Sequence, residues 1–416
     1  MNTIFENKNN VLSENSKPLT IAMFSDTYPP DINGVAVAVQ TLKKSLESAG
    51  HTVYIITPTE DTKLKGKIFV DEDNVIRIPG IRIKKLYGYR ISRPVSLSAY
   101  KLLGSLGIDV CHVHTEFSMR FIASAFCKGK KIPLIYTYHT MYEDYTHYVT
   151  NGHFNSAARR LVRWLVYLYA HGTSALIAPT EKTKEALLSY NIENEIFVIP
   201  SGINTEALKR SNFSEKQIAA LRSNYGLEDK FVIVYLGRIA EEKNIDLLIR
   251  AMPKIKQTIK NAVLLVVGYG PQEERLKAQA ESLNLSDCVI FTGKVNHSDI
   301  GLYYAMGNVF ASASTSETQG LTYIEAMAAS LPVIAMKDKC LDGVLFDGVN
   351  GYLFENEDDY CEKICKFASL DQKAVESMRN EALNMAKSYS FEQTAEKISS
   401  VYKLYLNSDA KIKLEK

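Results

Sequence analysis

The chain has 416 residues, 46% of them apolar and 23% charged, with a net charge of +2 at pH 7. That length predicts two or three domains with large cores, in an ordinary globular composition. The near-neutral balance argues against a protein devoted to nucleic acid. No apolar run is long enough to span a bilayer: the longest, Leu161–Ala170, reaches about half of the ~20 residues required and contains Arg163.

The opening stretch, MNTIFENKNNVLSENSKP, is polar and lacks the apolar centre of a signal peptide, so 1–17 read as a disordered extension. The six cysteines are scattered without a CxxC pair or a His partner at metal spacing. They read as reduced, mostly buried thiols of a cytoplasmic protein, soluble or attached to a membrane surface, with no metal site. Charge is uneven: residues 17–200 carry 22 Lys and Arg against 16 Asp and Glu, whereas 201–416 carry 26 against 29. An acidic surface partner is therefore expected to meet the first half.

From Leu19 short β-branched runs alternate with amphipathic stretches. The expected strands are 19–25, 52–57, 74–78, 110–114, 133–138, 175–179 and 195–199, with helices such as Val35–Ala49 and Ser118–Lys128 between them. Asn33-Gly34 is set to open the first helix, where amides meet a phosphate or a sugar oxygen; a simple turn explains it equally well. Arg82 to Lys101 holds six cations and no acid. Further on, YHTMYEDYTHY precedes AARRLVRWLVYLY, in which Arg159, Arg160 and Arg163 share one helical face while Leu161, Trp164, Leu165 and Leu168 take the other. Cations beside aromatics suit an anionic membrane surface, and a core helix with a solvated basic edge uses the same pattern.

Pro200 to Asn204 breaks the alternation and a second cycle begins. Its strands are 231–236, 262–267, 288–292, 309–313 and 332–336, with helices near 244–257, 271–284, 297–305 and 321–329 and a helical tail over 356–409. The expected architecture is α/β: two Rossmann-like domains, 18–200 and 201–389, hinged near 200–205, with a C-terminal helix, 390–409, joined to the first domain. Ligands of open α/β sheets lie beyond the carboxyl ends of the strands, so two such domains would enclose the site between them.

Three loops of the second cycle carry chemistry. GRIAEEKN (237–244) places Arg238 and Lys243 at a strand's carboxyl end, suiting a diphosphate, although Glu241 and Glu242 make a solvated turn equally plausible. In GYGP (268–271) Gly268 lets backbone approach a ligand, and a tight turn uses the same residues. SETQGLTYIEAM (316–327) sets Glu317 on a loop, Gly320, Leu321 and Thr322 at a helix tip whose amides face an anion, and Glu325 one turn inside. Paired carboxylates serve acid/base cleavage of glycosides, hold sugar hydroxyls, or merely favour a helix start.

In combination, NGVA, GRIAEEKN, GYGP, the two glutamates with seven residues between them and the final SFEQ resemble the retaining nucleotide-sugar glycosyltransferases of the GT-B fold, from about Leu19 to Tyr405. The resemblance implies that Arg238 and Lys243 hold the donor diphosphate, Glu317 the transferred hexose and Glu325 the ribose. It puts Gly34 near the phosphates and the transferred sugar, counts Gly237 among the donor-binding residues, and brings His139 to the reacting sugar from the first domain. The glycine pair often found before the first helix is Asn33-Gly34 here. On this reading the glutamates grip a donor rather than cut a bond, and the cations and helix dipole offset the departing charge without a metal.

The wording HTMYEDYTHY, with residues 315–354, resembles bacterial 1,2-diacylglycerol 3-α-glucosyltransferases more closely. That implies UDP-glucose as donor and the free hydroxyl of diacylglycerol as acceptor, at the inner face of the cell membrane. Tyr142, Glu143 and Asp144, with Arg159, Arg160, Arg163 and Trp164, are then the acceptor and membrane candidates; Glu143 and Asp144 orient the acceptor hydroxyl or are solvated helix-start acids. A different lipid, a soluble acceptor, or a nonenzymatic nucleotide-binding module are the alternative readings.

Overall fold

The computed structural model describes residues 17–31, 33–59, 68–82, 90–92, 97–139 and 155–407, with backbone only at 82, 155–159 and 407. The first sheet contains β1 (Thr20–Phe24), β2 (Thr52–Thr59), β3 (Phe69–Val70), β4 (Val75–Arg82), β5 (Arg90–Ser92), β6 (Val110–Val113), β7 (Leu134–Thr137), β8 (Ala175–Ala178) and β9 (Ile196–Val198). Its order is β3-β4-β2-β1-β6-β7-β8-β9, with β5 paired to β4; β3 and β5 run antiparallel to β4, and the other pairs are parallel.

The second sheet contains β10 (Phe231–Leu236), β11 (Ala262–Val267), β12 (Val289–Gly293), β13 (Val309–Ser312), β14 (Val333–Met336) and β15 (Gly351–Phe354). Its order is β12-β11-β10-β13-β14-β15, all parallel. Helices cover both faces, so a central strand can be apolar at every position, as in β11, whose six residues are all buried. Each such Val or Leu contributes about 1.5–3 kcal/mol when withdrawn from water. β15 is absent from the expected strands: four residues beginning with a glycine show little pattern, and pairing with β14 makes them a strand.

The helices that frame the site are α1 (Gly34–Ser48), α2 (Ser118–Lys130), α3 (Asn155–Ala170), α4 (Glu181–Ser189), α5 (Ile245–Thr258), α6 (Leu321–Ala328) and α7 (Phe391–Asn407). The tail is three helices, Glu357–Ala368, Gln372–Lys387 and α7, separated by turns. The chain passes between the sheets twice, and the two passes lie side by side. The amide of Ile203 donates to Tyr389 O at 2.9 Å, and Thr394 Oγ1 donates to Pro200 O at 3.1 Å. Beyond that crossing, α7 packs Ala395, Ile398, Val401 and Tyr402 into the same cluster as Ile21 and Met23 of β1. All six cysteines are free thiols, five of them buried.

Candidate active site

In each sheet the strand order reverses at one point, between β1 and β6 and between β10 and β13. Loops part there at the carboxyl ends of the strands and leave a crevice. On the second-domain side, the loop after β10 runs through Gly237 and Arg238 into a single 3₁₀ turn, Glu241–Lys243. Arg238 is exposed and its guanidinium has no partner among the described residues; its carbonyl accepts from the Tyr235 hydroxyl at 2.9 Å. Asn244 takes a left-handed conformation (φ 49°), and its side-chain amide donates to Ala313 O at 3.1 Å, tying this loop to the one after β13. The tie brings Lys243 Nζ to 2.5 Å from Glu317 Oε1, with both side chains more than four-fifths buried.

Glu317 is followed by the tip of α6. Gly320 opens that helix at φ +73°, and a Cβ there would lie 2.4 Å from the Tyr323 ring, so only glycine fits. The first-turn amides of Leu321 and Thr322, both half-buried residues, have no partner within the helix. Glu325 lies one turn in and accepts from the Tyr304 hydroxyl at 2.9 Å. Burial pushes its carboxyl above the ordinary range, while that hydrogen bond and the nearby His297 pull the other way.

Gly268 has a packing reason for being glycine. At φ +136° its missing Cβ would stand 2.0 Å from the Gly237 carbonyl oxygen, so the loops after β10 and β11 touch backbone to backbone.

On the first-domain side Asn33 caps α1, its Oδ1 accepting from Ala36 N at 2.9 Å while its Nδ2 donates to Thr27 Oγ1 at 2.7 Å. Gly34 follows as the first helical residue, and a Cβ there would meet nothing within 4 Å. Packing among the described residues therefore does not require a glycine at 34.

His139, two residues past β7, is half-buried, and its Nε2 lies 3.0 Å from His114 Nδ1. His112, behind them, is fully buried between Tyr402 Oη and Thr137 Oγ1, each at 2.6 Å. Burial lowers all three imidazoles, His139 to about 4 and His112 to about 3, so the cluster is neutral at pH 7. His114 and His139 border a small pocket with Thr137, Ser201, Phe391 and Thr394, where the first domain meets α7.

The sequence reading missed His112 and His114. The signal was in CHVH: alternate positions at the carboxyl end of a strand share a face. It missed Asp26 too, whose buried carboxylate accepts from Thr115 Oγ1 and Ser118 Oγ, each at 2.6 Å, and straps the β1 and β6 loops together. Lys182 and Asp338, 2.8 Å apart across the two domains, carried no local pattern by which to find them.

Tyr142, Glu143 and Asp144 lie outside the described residues, as does the side chain of Arg159. The apolar face read on α3 from the sequence, Leu161, Trp164, Leu165 and Leu168, turns away from the core, with Leu165 half-buried. Val166 and Ala170 are buried and Val162 and Tyr169 pack on the core, whereas Leu161 (56% exposed), Trp164 (55%), Tyr167 and Leu168 point outward. Arg160 is exposed beside them, and Arg163 lies over the Tyr190 ring at 5.6 Å. In the other basic stretch Arg90 is taken up, its Nη1 bonded to both carboxylate oxygens of Asp31 at 2.8 and 2.7 Å. No helix among the described residues is long and apolar enough to cross a membrane, and among them no group of three or more His, Cys, Asp or Glu is set to hold a metal ion.

Residues 32–207 match Glycosyltransferase Family 4 and residues 217–385 match Glycosyl transferases group 1. An α-monoglucosyldiacylglycerol synthase of Acholeplasma laidlawii is 38% identical over 82% of this chain and 86% of its own length. One of Streptococcus pneumoniae is 36% identical over 82% of this chain and 76% of its own. Among solved structures, Anabaena HepE in complex with UDP superposes with a TM-score of 0.72 over 93% of this chain and 100% of that one, at 18% identity, which speaks for the GT-B fold alone.

Proposed function

Starting from the fact that this chain belongs to the glycosyltransferase family that includes the α-monoglucosyldiacylglycerol synthases, we propose that it moves glucose from UDP-glucose to the free hydroxyl of 1,2-diacylglycerol. The configuration at the anomeric carbon is retained, and the product is an α-monoglucosyl diacylglycerol. The second domain, 201–389, holds the donor; the first, 18–200 with the C-terminal helix 390–409, presents the acceptor at the inner face of the cell membrane.

The observation that carries this reading is the cationic loop and helix tip around the β10/β13 reversal, where Lys243 and Glu317 already meet. Arg238 and Lys243 take the diphosphate, helped by the amides of Leu321 and Thr322 at the positive end of α6. Donor binding parts the Lys243–Glu317 pair: the ammonium turns to phosphate, and the carboxylate accepts from hexose hydroxyls. Glu325, braced by Tyr304, accepts from the ribose hydroxyls. Gly34 leaves room for the donor across the cleft, and neutral His139 offers a ring nitrogen to the sugar.

In the reaction the bond from C1 to the diphosphate oxygen breaks as the acceptor oxygen bonds C1 on the same face. The acceptor proton passes to the departing phosphate oxygen. Arg238, Lys243 and the helix tip stabilise the charge that gathers on UDP, and because they stand preorganised this needs little rearrangement. The outward Leu161, Trp164, Tyr167 and Leu168 beside Arg160 support docking to an anionic membrane, where the acceptor resides.

The test is incubation of the purified chain with labelled UDP-glucose and phosphatidylglycerol vesicles containing diacylglycerol, with the lipid product analysed by NMR. An α-glucosyl lipid is expected, and Glu317→Ala should abolish its formation. Label recovered only in water-soluble products would refute the acceptor, and unimpaired turnover by Glu317→Ala would refute the site.

A further inference from the structure

We propose that Lys182 is a positioning residue for Glu317, holding the loop that carries this carboxylate against the first domain. The inference rests on the donor-site reading above. Lys182 belongs to the first turn of α4, directly after β8, yet among the described residues its ammonium bonds only to the second domain. It donates to both oxygens of Asp338 at 2.8 Å, to the main-chain oxygen of Glu317 at 3.0 Å and to that of Thr315 at 3.4 Å.

Two further contacts act on the same loop. Thr180 Oγ1 donates to Thr318 O at 2.9 Å, and the Gln319 side-chain amide pairs with the backbone of Ser201, accepting from its N–H at 2.8 Å and donating to its O at 3.0 Å. Residues 315, 317 and 318 are thus each bonded to the first domain and residue 319 to the hinge at Ser201, while the Glu317 carboxylate turns to Lys243 of its own domain.

This arrangement makes the donor carboxylate depend on how the domains sit. Asp338, at the carboxyl end of β14, has a side chain only 4% exposed, and Lys182 is the cation paired with it among the described residues. While the domains are packed, an unpaired carboxylate at that depth is strongly disfavoured, so Asp338 requires Lys182 in place. The same ammonium fixes the main chain on both sides of Ser316. Glu317 therefore faces the hexose only when α4 is in place: the latch couples domain juxtaposition to recognition of the sugar rather than of the nucleotide.

The test uses the full-length protein, calorimetric binding of UDP-glucose and of UDP, and transfer to diacylglycerol in vesicles. Lys182→Met is expected to weaken UDP-glucose binding, and raise its KM, at least tenfold, while UDP affinity changes less than threefold. Lys182→Arg, which keeps the charge and the carbonyl bonds, is expected to recover most of the loss. If Lys182→Met does not fold, Lys182→Met/Asp338→Asn leaves no unpaired buried charge and should show the same selective loss. UDP-glucose binding within twofold of wild type, or an equal loss for both ligands, would overturn the inference while leaving the donor reading intact. A wild-type protein that binds no UDP-glucose would overturn both.

Discussion

The imidazole cluster behind the cleft makes stability depend on pH in a direction the structure fixes. His112 and His139 are held neutral by burial, with pKa values lowered from 6.5 to about 3 and about 4. Between those values and 6.5 the unfolded chain binds more protons than the folded one, so stability rises with pH. Each contribution is complete above about pH 6.5 and is lost as pH falls through 6.5 toward the folded value. At pH 5 an unfolded histidine is about 1.5 units below its pKa while both folded rings remain neutral. At 1.36 kcal/mol per unit, each loses about 2 kcal/mol relative to pH 7.5. His114 is shifted in the same direction. Asp26 and Glu325, whose carboxyls burial raises, act with the opposite sign. They are common to wild type and variant, so the difference between the two isolates the imidazole. Urea unfolding followed by circular dichroism at pH 7.5 and 5.0 should show His112→Asn losing about 2 kcal/mol less than wild type over that interval. Equal losses in the two proteins would refute a neutral, buried His112.

Three further outcomes are expected. Gly268→Ala, which forces a methyl to within 2.0 Å of the Gly237 carbonyl at φ +136°, should destabilise by more than about 3 kcal/mol and lower the thermal midpoint of the second domain. Tyr304→Phe removes the hydroxyl that braces Glu325, so it should cost about 1.5–3 kcal/mol of stability and raise the KM for UDP-glucose more than it lowers kcat. Trp164 is the single tryptophan, so its fluorescence should shift to the blue on phosphatidylglycerol vesicles. Leu161→Ser, made on the same exposed stripe, should weaken partitioning about tenfold, as expected for losing roughly 1.4 kcal/mol of apolar burial.

Local patterns carried the sequence reading a long way where physics is local. Runs such as AVLLVV and FVIVYL have one stable use in an α/β chain, a strand covered on both faces, so two parallel sheets followed. For Arg238, Lys243, Glu317 and Glu325 the local pattern left a solvated turn and helix-start acids open, and the family resemblance named them as donor candidates. Other patterns had two physical causes that the sequence left open. For Gly268 these were ligand approach and a tight turn, and the structure adds a third, close contact with the Gly237 carbonyl. On α3 the face at Leu161, Trp164, Leu165 and Leu168 was legible, but that it turns outward while Val162, Val166 and Ala170 face the core was not. Arg90 counted toward a basic surface until its bond to Asp31 removed it.

What the sequence determined by itself was the set of elements and the chemistry each loop end offers, because helix and strand periodicity, glycine conformation and side-chain charge are properties of a few neighbouring residues. Only the tertiary structure decided which of those ends meet. Lys243 reaches Glu317 across 74 positions of chain, His112 reaches Tyr402 across 290, and Lys182 finds Asp338 across 156. Such pairings follow from the order in which parallel strands assemble and from the return of α7 to the first domain. Both are settled by burying whole faces at once, and no segment records that alone.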